Sequence, residues 1–317
     1  MTRSSEHERI AALAALFGQR PAPGVTLAIG DDAAVIEPDG RPLVWSIDAA
    51  VEGTHFRRDL MTLEDAGWRA TMAALSDLAA MGAEPVGVLS ALALPGALTD
   101  RELYAIAAGQ RDAAAACGTT VIGGNLARAD VVSITTSVIG RAERPMTRAG
   151  ASPGDRVWLL GDPGWAAAGL RAIESGLTGG DAERAALAFR RPAARIAGGL
   201  AAARAGASAC IDVSDGLGAD LGHLARTSAV ALEVDEAALD DVDLATIAAS
   251  VGTTWAALAL AGGEDYALIA TAPPGVSIEG FRVIGACAAG SGVHIRDRAG
   301  AIRALDASGW DHFVTRR

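Results

Sequence analysis

The sequence predicts an α/β protein of two domains, each built on its own mixed sheet. Three observations predict it. Short apolar runs alternate with amphipathic stretches that carry helix caps and glycine stops. The 317 residues are enough for two domains of ordinary size. Around Arg144–Gly154 the apolar pattern lapses into Pro, Gly and Arg, which divides the chain into residues 1–145 and 146–317.

Each element has a local cause. Ser5–Phe17 places Ile10, Leu13, Leu16 and Phe17 on one helical face. Strand-like runs follow at Val25–Ile29, Ala33–Ile36 and Leu43–Ile47. Thr62–Met81 reads as a helix capped by Thr62 and stopped by Gly82, with Trp68, Met72, Leu75 and Ala79 facing the core. Pro85–Leu94 is an apolar strand, and Thr99 with Glu102 forms a capping box for a helix that runs to Cys117. Thr119–Ile122 and Val131–Ile139 return to strand character. Beyond the boundary, strands are expected at Arg156–Leu160, Ser208–Ile211, Val230–Val234, Tyr266–Ala270 and Phe281–Ile284. Helices are expected at Trp165–Ser175, Ala182–Phe189, Pro192–Ala205, Leu217–Arg226, Leu244–Ser250 and Trp255–Leu260. Half the residues are hydrophobic but only 4% aromatic, so small side chains and closely approaching helices must supply much of the core.

Composition excludes several chemistries. All 27 basic residues are arginine, so neither a P-loop lysine nor a Schiff-base amine exists. A net charge of −11 argues against a nucleic-acid or anionic-membrane surface. No apolar run has the length of a membrane span, and Met1–Arg20 lacks a signal-peptide core. Cys117, Cys210 and Cys287 form no CxxC pair and read as buried thiols in a reducing compartment, so a cytoplasmic location is expected.

The informative feature is where the acids fall. Asp31 and Asp32 lie between two strand-like runs, Asp48 ends the run Leu43–Ile47, and Asp77 interrupts an apolar helix. Asp212 and Asp215 follow the run Ser208–Ile211, and Glu264 and Asp265 follow the pair Gly262-Gly263. Asp212 and Asp215 could simply cap the next helix, and Asp31 and Asp32 could simply make a turn. For Asp77 no such ordinary use is at hand. His55 divides evenly between a satisfied structural histidine and a functional one. Taken together, several like charges among apolar neighbours are costly unless cations neutralise them. Magnesium suits such a set, because it takes oxygen ligands and bridges to phosphate. Without lysine, this points to ATP-dependent phosphoryl transfer or ligation on a fold that is neither P-loop nor protein kinase.

Six segments carry a family resemblance. They are Gly30-Asp31-Asp32-Ala33-Ala34, Asp48–Phe56 with its Val51-Glu52-Gly53-Thr54-His55-Phe56, and Leu75–Ala83. Asp212-Val213-Ser214-Asp215-Gly216-Leu217, Gly262-Gly263-Glu264-Asp265-Tyr266 and Gly309-Trp310-Asp311-His312-Phe313 complete the set. In order and spread they resemble the thiamine-monophosphate kinases. The resemblance implies a two-domain fold like aminoimidazole ribonucleotide synthetase, with N-terminal domains pairing in a homodimer to close an intersubunit β-barrel. In that reading, residues 1–145 form the ATP- and magnesium-binding, dimerising domain, and 146–317 form the C-terminal α/β domain. It implies transfer of the ATP γ-phosphate to thiamine monophosphate with several Mg2+ ions, giving thiamine diphosphate.

The resemblance also implies roles by position. Asp31, Ser46, Asp48, Asp77, Asp212 and Asp215 would hold magnesium, with carbonyl oxygens from Ile47 and Asn125. Asp31, Tyr104, Gly124, Asn125, Arg148 and Ser214 would touch ATP. His55, Glu264 and Trp310 would face the thiamine end, where a ring face attracts the cationic thiazolium. Asp48 and Asp215 are the two expected to matter most for catalysis. One departure stands out: Asn125 occupies a position where the family carries aspartate, and Arg128, three residues on, offers a cation for phosphate. Rival readings are a sibling synthetase and a non-catalytic paralogue. The selenophosphate enzyme needs an N-terminal Cys and the hydrogenase-maturation protein a C-terminal one, and this chain has neither.

Overall fold

The computed structural model describes residues 6–17, 23–27 and 33–305. Asp31, Asp32 and Trp310, with the whole Gly309–Phe313 segment, lie outside the described residues. The chain divides into two compact units, one within Met1–Leu78 and Ala83–Glu143, the other within Ala79–Gly82 and Arg144–Arg317.

The first unit opens with α1 (Glu6–Phe17) and an antiparallel pair, β1 (Val25–Leu27) and β2 (Val35–Ile36). There follow β3 (Leu43–Val51), α2 (Leu63–Ala80), β4 (Glu84–Leu94), α3 (Asp100–Ala116), β5 (Val121–Arg128) and β6 (Ser133–Arg141). The last four strands make one sheet in the order β3-β6-β4-β5. β6 is antiparallel to both its neighbours, while β4 and β5 run parallel. The caps form as the sequence predicts. The Thr62 hydroxyl accepts the Asp65 amide at 3.1 Å, and Thr99 and Glu102 cap each other reciprocally. Strict alternation buries Ile134 and Val138 of β6 and Val88 and Leu92 of β4 on one face. α2 and α3 approach through glycine: a Cβ on Gly109 would lie 1.9 Å from the Glu64 carbonyl oxygen.

Two strands outrun their sequence signals. β3 continues past Ile47 to Val51, so Asp48 sits inside the strand opposite Thr136 instead of at its end. β5 likewise passes through Gly123, Gly124 and Asn125, beyond the strand signal that ends at Ile122. In both cases a long partner strand completes the backbone hydrogen-bond ladder, and that outweighs the poor strand propensity of Asp, Gly and Asn.

The second unit contains β7 (Arg156–Leu160), α4 (Trp165–Glu174), α5 (Gly180–Arg190), α6 (Ile196–Ala205), β8 (Ala209–Asp212) and α7 (Leu217–Ser228). It continues with β9 (Ala231–Asp235), α8 (Val242–Ser250), α9 (Trp255–Ala261), β10 (Leu268–Ala272), β11 (Arg282–Ala288), β12 (Gly292–Arg296) and β13 (Ile302–Ala304). Its sheet has the order β13-β12-β9-β11-β7-β10-β8, with β12 and β9 parallel and the other pairs antiparallel. Val157, Leu159, Ile211 and Ile269 from the strands pack with Leu217, Leu221 and Leu224 of α7. A second cluster joins α4, α5, α8 and α9 through Trp165, Ala168, Ala185, Leu244 and Leu258. Here too small residues permit contact, since a Cβ on Gly169 would meet the Ala185 carbonyl oxygen at 2.0 Å. The helix expected from Pro192 begins only at Ile196. β12 was not expected. Its alternation, buried Val293 and Ile295 against more exposed His294 and Arg296, is too short to read without its partner β9.

Candidate active site

In the first unit three of the expected metal ligands gather on the helix-covered side of the sheet edge. The Ser46 hydroxyl of β3 donates to the Asp77 carboxylate of α2 at 2.5 Å. Asp48, two residues along the same strand, projects to the same face as Ser46. One of its oxygens accepts the Ala49 amide at 2.8 Å. Ile47 points its side chain to the opposite, exposed face, leaving only its backbone to serve here. His55 sits in the turn after β3, where its Nδ1 accepts the Val51 amide at 3.1 Å. With Nδ1 accepting, Nε2 is the ring nitrogen that can donate. Glu52 of the same motif is ion-paired to Arg58 at 2.7 Å.

The other first-unit candidates lie elsewhere in the unit. Gly124 and Asn125 are on β5, and Tyr104 is on α3. β3 and β5 are opposite edges of the four-stranded sheet, so Asp48 and Asn125 stand three strand spacings apart, about 14 Å. One chain therefore does not bring Asn125 to the Ser46–Asp48–Asp77 group. Gly124 is held to glycine by a close approach, since a Cβ there would lie 1.9 Å from the Ser90 carbonyl oxygen of β4. Strand alternation also turns Asn125 and Arg128 to opposite faces of β5.

In the second unit the carboxylates crowd a loop. β8 ends at buried Asp212, and Val213–Gly216 lead into α7. Neither Asp212 nor Asp215 caps that helix: its N-cap is Gly216, at φ +110°, with no side-chain bond. The capping runs the other way. Asp220, from the first turn of α7, accepts the amides of Ser214 and Asp215, each at 3.1 Å, and is only 2% exposed. Burial, and then the charges of Asp212 and Asp215, push its carboxyl up to about 8. Ligand atoms of Asp215, Asp220 and His223 all lie within 4.8 Å of one another. Burial lowers the His223 pKa, Arg226 and Arg148 lower it further, and Asp215 opposes them. Arg148 thus reaches the electrostatic neighbourhood of Asp215. The Glu264 amide donates to the Ser214 carbonyl at 2.8 Å, which brings the Gly262–Tyr266 turn beside the same loop.

Asp220 and His223 did not stand out in the sequence. The signal for Asp220 was present, an acid flanked by Ala219 and Leu221 in a helix, as at Asp77. Cys210 and Cys287 are buried as expected, whereas Cys117 is only half-buried; burial pushes Cys117 up to about 11 and Cys210 up to about 12. Among the described residues no single helix is long and apolar enough to cross a membrane.

Known proteins share both sequence and fold with this chain. Residues 30–142 match the family described as AIR synthase related protein, N-terminal domain. The thiamine-monophosphate kinase of Escherichia coli O157:H7 is 35% identical over 309 residues, spanning 92% of this chain and 93% of that protein. The crystal structure of thiamine-monophosphate kinase from Stenotrophomonas maltophilia K279a superposes with a TM-score of 0.79 at 33% identity, over 92% of this chain and 96% of that one. The AaThiL structure, complexed with AMPPCP and TMP, also gives 0.79, at 29% identity over 99% of each chain. The fold is the mixed α/β architecture of these enzymes, and the chain belongs to the thiamine-monophosphate kinase family.

Proposed function

We propose that this kinase passes the γ-phosphate of ATP directly, in line, to the phosphate of thiamine monophosphate, assisted by Mg2+ held on its acidic groups. The observation that carries the reading is the loop Asp212–Asp215 with Asp220, where burial, and after it the charges of Asp212 and Asp215, push the Asp220 carboxyl up to about 8. Such a set favours a cation, and its donors, like Ser46, Asp48 and Asp77, are hard oxygens of the kind magnesium takes. The AaThiL complex with AMPPCP and TMP supports the substrate pair, because AMPPCP has the shape of ATP.

Asp48, Asp77, Asp212 and Asp215 would hold magnesium, which would supply positive charge against that building on the phosphates during transfer. The protein's own groups have simpler tasks. Arg148 offers a fixed cation to phosphate, and Ser214 offers its hydroxyl. Gly124, on exposed edge strand β5, offers its backbone to the nucleotide. His55, with its proton on Nε2, can donate one hydrogen bond toward the thiamine end. Glu264 faces that end as well. The acceptor is already an anionic oxygen, so no strong base is needed, and positioning supplies the rate.

Two observations favour the homodimer with an intersubunit barrel. Leu43, Trp45 and Ile47 alternate along β3 and are 58%, 71% and 67% exposed, an apolar row on the face away from the helices. An exposed apolar row of this kind marks an interaction surface. Asp48 and Asn125 stand on opposite edges of one sheet, so two copies whose edges meet would bring Asn125 of one close to Asp48 of the other. Trp45→Glu should then yield a monomer by sedimentation velocity, with loss of activity. An active monomer would remove the barrel from the reading. The main test is ADP release with thiamine monophosphate, thiamine and other phosphate monoesters as acceptors, each titrated with Mg2+. The reading expects turnover with thiamine monophosphate and none without a divalent ion; equal turnover with thiamine would overturn it.

A further inference from the structure

The turn that carries Glu264 is built in an unusual way. Glu264 and Tyr266 have φ of +69° and +49°, the left-handed region that residues other than glycine seldom adopt. Holding two such residues within three positions costs free energy that the surroundings must offset. Three contacts do so. The Asp265 carboxylate accepts the amides of Gly164 and Ala166, at 2.7 and 2.9 Å, at the start of α4. The Tyr266 amide donates to the Val213 carbonyl at 2.9 Å. Gly263 presses so closely on the Ser214 carbonyl oxygen that a Cβ would lie 2.2 Å from it.

The Tyr266 side chain, only 6% exposed, is buried with its hydroxyl turned back to Glu264, donating to Oε2 at 2.9 Å. We infer that Tyr266 is a positioning residue: its hydroxyl fixes the rotamer of Glu264, so that the carboxylate meets thiamine monophosphate already oriented. This rests on the reading that Glu264 faces the thiamine end. A preorganised carboxylate loses less rotamer freedom on binding, so the effect belongs in the affinity for that substrate.

The test is a double-mutant cycle of Tyr266→Phe, Glu264→Ala and the pair, with KM measured separately for thiamine monophosphate and ATP. Tyr266→Phe should raise KM for thiamine monophosphate about threefold to tenfold, the range of one net hydrogen bond. KM for ATP should stay within about twofold. Glu264→Ala should raise the same KM, and adding Tyr266→Phe to it should change nothing more, because the tyrosine acts through the glutamate. Thermal unfolding of Tyr266→Phe close to the parent would confirm an intact fold. Equal increases in both KM values, or effects that multiply in the double variant, would make Tyr266 a packing residue and overturn the inference. If Glu264→Ala leaves KM unchanged, the placement of Glu264 is wrong and the inference falls with it. An effect of Glu264→Ala without one of Tyr266→Phe leaves that placement standing and removes the positioning role alone.

Discussion

The two acidic groups of this protein are built by opposite strategies. In the first unit Ser46, Asp48 and Asp77 project from a regular strand and a regular helix, and Asp48 is exposed to solvent. In the second, Asp212, Asp215 and Asp220 crowd a short loop that backbone bonds and glycine contacts hold in place. An exposed carboxylate costs little when no cation is bound, whereas a buried cluster stores repulsion until one arrives. The first unit can therefore hold its ligands ready without strain. The second should gain stability when a metal binds.

The sharpest way to break this contrast is to neutralise one acid from each group. Asp48→Asn and Asp215→Asn should each lower kcat at saturating Mg2+ by at least about a hundredfold, since both are proposed to hold charge where it is needed in the transition state. Their effects on stability without metal should differ. Asp48→Asn should leave the denaturation midpoint nearly unchanged, while Asp215→Asn should raise it by relieving Asp220. Near-parental turnover in both variants would remove the metal-ligand assignment. Equal stability shifts would remove the contrast.

A smaller effect follows from Asp220. Burial first, then Asp212 and Asp215, move its carboxyl from 3.8 up to about 8. Between those values the unfolded chain has released a proton that the folded chain keeps. The stability this group contributes is thus complete below about pH 4 and is lost as pH rises toward 8. Without metal, the parent should lose stability across that window faster than Asp220→Asn, by no more than about 1.4 kcal/mol per pH unit. Mg2+ should flatten the difference by favouring the ionised carboxyl. Chemical denaturation of both proteins at several pH values checks this, and parallel profiles would count against the buried charge cluster.

Legibility in the sequence followed the same division. The regular elements were readable, because period-two alternation in β6 and the capping boxes at Thr62 and Thr99 are local signals. So was Asp77, whose apolar helix neighbours made its charge conspicuous. What was not readable depends on partners distant in sequence. β3 extends through Asp48 only because β6 offers nine residues to pair with, and β12 exists only beside β9. Asp212 and Asp215 looked like caps for α7 until the loop geometry made Asp220 the acceptor and Gly216 the cap. The separation of Asp48 from Asn125 was equally hidden, since strand order is a property of the sheet and not of any segment.

The smallest expected effect tests that separation. Asn125 lies exposed on edge strand β5, so Asn125→Asp should hardly change the stability of the protein without metal. A charged oxygen holds a hard cation better than an amide oxygen does. If a second copy brings this edge to the nucleotide, the Mg2+ concentration for half-maximal rate should fall a few-fold, on the order of the gain from one extra charge–charge contact in a wet site. The maximal rate can move in either direction, because the new carboxylate also repels the phosphates. Pairing with Arg128 will not absorb the charge, since alternation turns that side chain to the other face of β5. The measurement is a Mg2+ titration of initial rate at fixed total ATP, run for both proteins. A fall in the midpoint would tie Asn125 to the metal-bound nucleotide. An unchanged midpoint would place Asn125 outside the metal cluster, leaving the edge of β5 to backbone contacts alone.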